Sequence, residues 1–252
     1  MRSILMNNNQ KNKSKFWGLV RWSLIRHKYY IPVFVMVQII LSIAIIYGFL
    51  FITNANDTIT MSYLCTGAIA INVIAVTCVL APQIVSEAKQ NGVYDYQKTL
   101  PVSRIGILLS DLFIWGLLCL PGILSSLLIS RFGFGLDISF DVFAMLSILL
   151  IIFALLSVGF AIAYLLPSNL VSLISQLIMI GGLLFSPIIY SPNRLPEWTE
   201  KIYNYLPFVP SSQVIRASVF DLEQINSQQF IVLLAWAIVG FSLSLTILSR
   251  RK

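Results

Sequence analysis

VFAMLSILLIIFALLSVGFAIAYLLPSNLVSLISQLIMIGGLLFSPIIY, from Val142 to Tyr190, is an apolar tract of 49 residues. A helix needs about 20 mostly apolar residues to cross the hydrocarbon core, because every backbone polar group there must be satisfied within the segment. The tract is therefore twice one crossing. Its Pro167-Ser168-Asn169 corner divides it into two helices, since proline removes a backbone donor and stops a helix.

Four further runs of spanning length flank it: Ile31 to Ile52, Ile59 to Val85, Ile105 to Ile129 (broken by Asp111) and Phe230 to Leu248. With 58% hydrophobic and 11% charged residues, against about 25% charged in soluble domains, the chain reads as an all-α integral membrane protein of six transmembrane helices. Lys and Arg orient it. Thirteen lie in the amino-terminal arm, the loop after helix two and the tail; four lie in the opposite loops. The expectation is a multi-pass protein of the cell (plasma) membrane with both termini cytoplasmic. The net charge of +7 then reflects topology and contact with membrane lipid, not nucleic acid.

The run near the amino terminus is 22 residues long and lacks a small-residue cleavage site, which reads as a retained anchor. Before it, FWGLVRWSLIRHKYY (Phe16 to Tyr30) mixes aromatic and basic residues, with Phe16, Trp17, Val20 and Leu24 on one side of a helical wheel. This predicts an amphipathic interfacial helix, so residues 1–30 form a cytoplasmic basic arm with that helix and 31–252 the six-helix domain. Between Pro187 and Pro210 lie five prolines within a still apolar segment. Trp198, Ile202 and Tyr205, then Val214, Ile215 and Val219, recur at near-helical spacing, predicting re-entrant extracellular helices before the last span. Cys65, Cys78 and Cys119 fall inside spans without C-x-x-C spacing and read as packing residues.

Enzymatic chemistry has few candidates. The single histidine, His27, is placed in the basic arm, outside the bundle, so neither a His-based zinc site nor a Ser-His protease can be assembled. Asp111 is a lone carboxylate in a span, which costs several kcal/mol unless paired or hydrated. Two roles stay open for it: a structural partner of a basic residue near the inner interface, or an ion-coupling site. Asn72, Thr77, Ser172, Ser175 and Gln176 are the other intramembrane polar groups, lining a translocation path or gluing helices.

GVYDYQKTLPVSR (Gly92 to Arg104) mimics the phosphate loop G-x-x-x-x-G-K-[ST], but Gln97 stands where the second glycine must approach the ligand, and no strand precedes Gly92. The chain itself is not expected to bind a nucleotide. The segment reads instead as a compact loop on the inner face: Ser86 caps a short helix, Gly92 ends it, Tyr94 and Tyr96 offer aromatic contacts, and Pro101 turns the chain into helix three.

APQIVSEAKQNGVYDYQKTLPVSR (Ala81 to Arg104) and LLFSPIIYSPNRLPEWTEKIYNYLPFVPSSQVIRAS (Leu183 to Ser218), together with the order of surface helix, six spans and re-entrant segment, resemble a permease subunit of the type-2 ATP-binding-cassette (ABC) exporters, the ABC-2 type family. The first stretch is similar to the family's acidic-basic-glycine loop with its leucine-proline exit. The resemblance implies that Glu87, Lys89, Gly92, Tyr94, Leu100 and Pro101 belong to a short cytoplasmic coupling helix that docks on an ATPase. It also implies that Pro196, Trp198 and Arg216 mark the outer re-entrant segment.

By the same resemblance, ATP and Mg belong to two copies of a separate ABC ATPase subunit, this chain binding no cofactor and catalysing nothing itself. A second permease, identical or paralogous, completes a dimer with spans two and five lining the path. Relatives export drugs, antimicrobial peptides and lipids, so amphipathic cargo and drug or antimicrobial resistance are in range. The uncharged link Pro167-Ser168-Asn169 departs from the family by offering little second contact to an ATPase. Two other classes compete: an ATP-independent carrier coupled to ions through Asp111, and a non-transporting membrane scaffold or immunity protein.

Overall fold

Prolines, glycines and capping side chains set the helix ends. The structure is a computed structural model and describes residues 16–53, 58–99, 102–184, 186–189 and 202–249; among the described residues there is no strand. In chain order the elements are α1 (16–27), α2 (Tyr30–Thr53), α3 (Thr58–Ile74), a π-helical segment (Ala75–Leu80) and α4 (Ala81–Gln90). Then come α5 (Val93–Thr99), α6 (Arg104–Leu128) with a π-turn (Ile129–Gly133), α7 (Val142–Leu165), α8 (Ser168–Leu184), α9 (Phe208–Val219) and α10 (Ser227–Ser249). Ser103 caps α6 by accepting from the Gly106 N–H at 3.1 Å, and Asp141 caps α7 by accepting from Ala144 N–H at 2.8 Å. Leu166, extended ahead of Pro167, ends α7.

Among the described residues, five helices are long and apolar enough to cross a membrane: α2, the continuous α3–α4 helix (Ile59–Gln90), α6 with its π-turn, α7 and α10. The sixth expected crossing is the 17-residue apolar helix α8. At 1.5 Å per residue it is about 26 Å long, slightly short of a core of about 30 Å. The α3–α4 helix is the most buried of the spans and α2 the least. Small residues such as Cys65, Ala68, Ala70 and Ala81, all fully buried, let its neighbours approach closely. α2 packs on α3 and α6, α4 on α7 and α8, and α10 along α7.

Two glycines set that spacing. A β-carbon at Gly159 of α7 would overlap the Thr77 carbonyl in the π segment, and one at Gly240 of α10 would stand 2.6 Å from the Ser157 backbone. A polar lock joins α2 to α6 where Pro121 interrupts the latter's helical ladder. There the Gln38 carboxamide donates to the Leu118 carbonyl at 2.8 Å and accepts from the Gly122 N–H at 2.9 Å. Beside it, Asn72 donates to Ser42 Oγ at 3.0 Å and to Ser126 Oγ at 3.3 Å.

Two expectations are corrected, the start of a helix at Ser86 and the place of His27. The second span does not end near Val85, and Ser86 does not start a new helix; it lies inside α4, its hydroxyl 3.0 Å from Ser168 Oγ on α8. In α1 the inward face is Leu19, Val20, Ser23 and His27, while Trp17 is 61% and Leu24 38% exposed. His27 is therefore packed against the bundle, its ring against Trp115 of α6. The amino-terminal arm (1–15), residues 54–57, Leu100 and Pro101, the piece holding Pro196 and Trp198 (190–201) and the tail (250–252) lie outside the described residues. Of the two expected re-entrant pieces, the second is α9, a helix packed on α3, α7 and α10 and buried from Val209 to Val219 except at half-buried Gln213.

Candidate functional site

At Gly92 the chain reverses between α4 and α5. The Asn91 N–H donates to the Glu87 carbonyl at 3.0 Å and the Gly92 N–H to the Lys89 carbonyl at 3.3 Å, closing α4. Gly92 has φ +73°, a conformation that a β-carbon disfavours. The Tyr96 N–H then bonds the Gly92 carbonyl at 3.0 Å, so the stretch that mimics a phosphate loop is a helix whose amides are turned along its own axis. Its outer face exposes Asp95, Tyr96 and Thr99, next to exposed Glu87 on α4.

The inner face of α5 is Tyr94, 3% exposed. Its hydroxyl donates to Asp111 Oδ2 on α6 at 3.1 Å, and its ring meets Tyr164 of α7 edge-on at 5.4 Å. Burial, and after it the Asp111 charge, hold the Tyr94 phenol well above its ordinary pKa, so it stays a donor. The other carboxylate oxygen of Asp111 faces α1: Ser23 Oγ donates to it at 3.3 Å, and the Arg26 guanidinium lies 3.8 Å away. His27, one residue on, meets Trp115 of α6 edge-on at 5.6 Å and donates from Nδ1 to the Ser23 carbonyl at 2.9 Å. Burial first, and the Arg26 charge second, lower its pKa to about 4, so the ring is neutral. Asp111 thus has its basic partner, and one buried carboxylate fastens α1, α5 and α6 together.

Lys89 is bonded inward: its Nζ donates to the Tyr164 carbonyl at 2.8 Å and approaches the Leu166 carbonyl at 3.5 Å. There a cation complements the carboxyl end of α7. Of the residues expected to couple, Gly92, Tyr94 and Lys89 therefore build the corner, and Glu87 stands on its surface.

The five candidate path residues do not share one surface. Asn72 is consumed by the lock with α2 and α6, and Thr77 bonds back to the Val73 carbonyl at 2.7 Å inside the π segment. On α8, Ser175 is buried, Ser172 half-buried and Gln176 exposed. On the opposite side of the bundle Arg216, 1% exposed, reaches Glu223 at 2.9 Å, the Pro187 and Ile188 carbonyls at 3.1 and 3.2 Å, and the face of Tyr63 at 4.5 Å. It pins the turn after α8 to α9.

Sequence reading missed Ser23 and Arg26 as partners of Asp111, and Tyr164 as the ring that Tyr94 meets. The signal available was the i, i+3, i+4 spacing of Ser23, Arg26 and His27, which puts all three on one helix face.

A bundle of long apolar helices with a short helix held on one end by buried polar contacts is the architecture of a multi-pass membrane protein. A sequence model of the ABC-2 type transporter family matches residues 17–220, and the chain belongs to that family as a transmembrane permease. Membership implies an ABC ATPase subunit as partner and places no catalysis in the permease. No match to a curated protein was found.

Proposed function

We propose that the chain is the membrane-spanning permease of an ATP-driven exporter. ATP is hydrolysed with Mg on a separate ABC ATPase, two copies of which serve a pair of permeases, this chain with itself or with a paralogue. Both termini and the α4–α5 corner face the cytoplasm of a cell-membrane protein, and the cargo is amphipathic: a lipid-like molecule, a drug or a peptide. The reading rests chiefly on α5, which carries Asp95, Tyr96 and Thr99 on its outer face while Tyr94 ties its inner face to Asp111. A push on α5 is delivered through that contact to α6 and α1, and through Lys89 to α7. The partners of Asp111 support a mechanical role over ion coupling.

The test is co-purification with the ATPase and cargo-stimulated hydrolysis. Glu87→Arg combined with Tyr96→Ala should strip the ATPase from the permease. Tyr94→Phe removes a hydrogen bond to a buried charge, worth about 1.5–3 kcal/mol; the complex should persist while transport per ATP falls. Full retention of complex and transport in all these variants would overturn the proposal.

A further inference from the structure

Between α6 and α7 runs a groove of about 510 Å³ with an almost wholly apolar lining. It exists because α6 carries Gly116 there: a β-carbon at that position meets nothing closer than Ile152 Cγ2 at 3.6 Å, an ordinary contact, and the space beyond is unfilled. Along α6 the lining extends from Leu109 to Leu120. Eleven steps of 1.5 Å make about 17 Å, close to the ~15 Å of hydrocarbon in one leaflet. Starting five residues beyond Arg104, it covers the half of the bilayer on the α1 side.

The end of the groove near α1 has a different chemistry. Phe16 closes it, and Trp17 touches both Phe16 and the groove residue Phe113 with edge-on rings at 6.1 and 6.4 Å. Trp17 remains 61% exposed, and Arg21, four residues on and hence on the same face of α1, is exposed beside it. An indole at headgroup depth with a guanidinium one turn away suits a lipid phosphate.

We propose that this groove seats one acyl chain of an anionic glycerophospholipid, with its phosphate held at Trp17 and Arg21. The bound lipid fastens α1 to the α6–α7 wall on the side away from Asp111. Its placement in the inner leaflet rests on the orientation proposed above, whereas the binding itself needs no ATPase. A peptide or drug cargo fits less well, because the lining offers almost no polar group to recognise it, and a second copy of the chain would need a broad face where this is a narrow slot.

The test is native mass spectrometry of the full chain, purified in detergent and incubated with phosphatidylglycerol or with phosphatidylcholine. The wild-type chain should retain one phosphatidylglycerol per chain in preference to phosphatidylcholine. Gly116→Leu should cut that retention on the order of tenfold, Gly116→Ala should leave it nearly unchanged, and Arg21→Glu should abolish the headgroup preference. Leu120→Trp, blocking the far end, is the second variant if Gly116→Leu fails to fold. Undiminished retention in both blocking variants, or equal retention of the two lipids by the wild-type chain, overturns the proposal. Loss of ATPase co-purification with lipid retention intact would instead count against the exporter reading alone.

Discussion

Asp111 shows how a single side chain sets the relation between helices. A carboxylate at this depth is tolerated because Tyr94, Ser23 and Arg26 converge on it from two other elements. His27 stands beside this cluster as a neutral ring facing Trp115 and Arg26. Its pKa of about 4 lies below the ordinary 6.5, so the undocked histidine binds a proton over a pH range where the docked one does not. The contribution of this residue is complete above pH 6.5 and shrinks as the pH falls toward 4. The melting temperature in detergent should therefore fall between pH about 7 and about 5, and His27→Gln should flatten that part of the profile. An unchanged slope in the variant would remove His27 as the cause.

At the scale of the element, some boundaries were legible and faces were not. The Pro167 corner and the Gly92 stop act through local backbone chemistry, so nearest neighbours in sequence reveal them. The buried face of α1 depends on Asp111 and Trp115, eighty-odd residues away, and an apolar wheel points elsewhere. Helix α4 likewise continues past Val85 because α7 and α8 cover it. Gly159 is an element-level constraint of the same kind: it permits α7 to lie against the Thr77 carbonyl. Gly159→Ala should force those helices apart and cost about 1–3 kcal/mol, read as a lowered melting temperature. The same change at Gly181, where a β-carbon meets nothing within 4 Å, should be silent.

For the whole molecule, the decisive question is which end of the bundle carries α5. The proposed orientation, which the charge asymmetry of the loops supports, puts it on the inside. Cys65, Cys78 and Cys119 are all buried, so an introduced cysteine can be labelled against a low background. Tyr96→Cys should react with an impermeant maleimide only after the cells are opened, and Ile225→Cys, between α9 and α10, in intact cells. Labelling of Tyr96→Cys from outside would invert the scheme.

That the chain is an all-helical membrane protein, and the family to which it belongs, both follow from runs of apolar residues and short motifs, because the solvent for each span is lipid and length alone satisfies its backbone. Which polar residues meet was decided only in three dimensions. Gln38 bridging the Leu118 carbonyl and the Gly122 N–H beside Pro121, Arg216 gathering Pro187, Ile188, Glu223 and Tyr63, and Tyr94 reaching Asp111 are contacts between separate elements. In a bundle whose helices are apolar on every side, hydrophobicity does not choose the facing surfaces, so small residues and scarce polar groups choose them, and their partners are fixed by packing rather than by spacing along the chain.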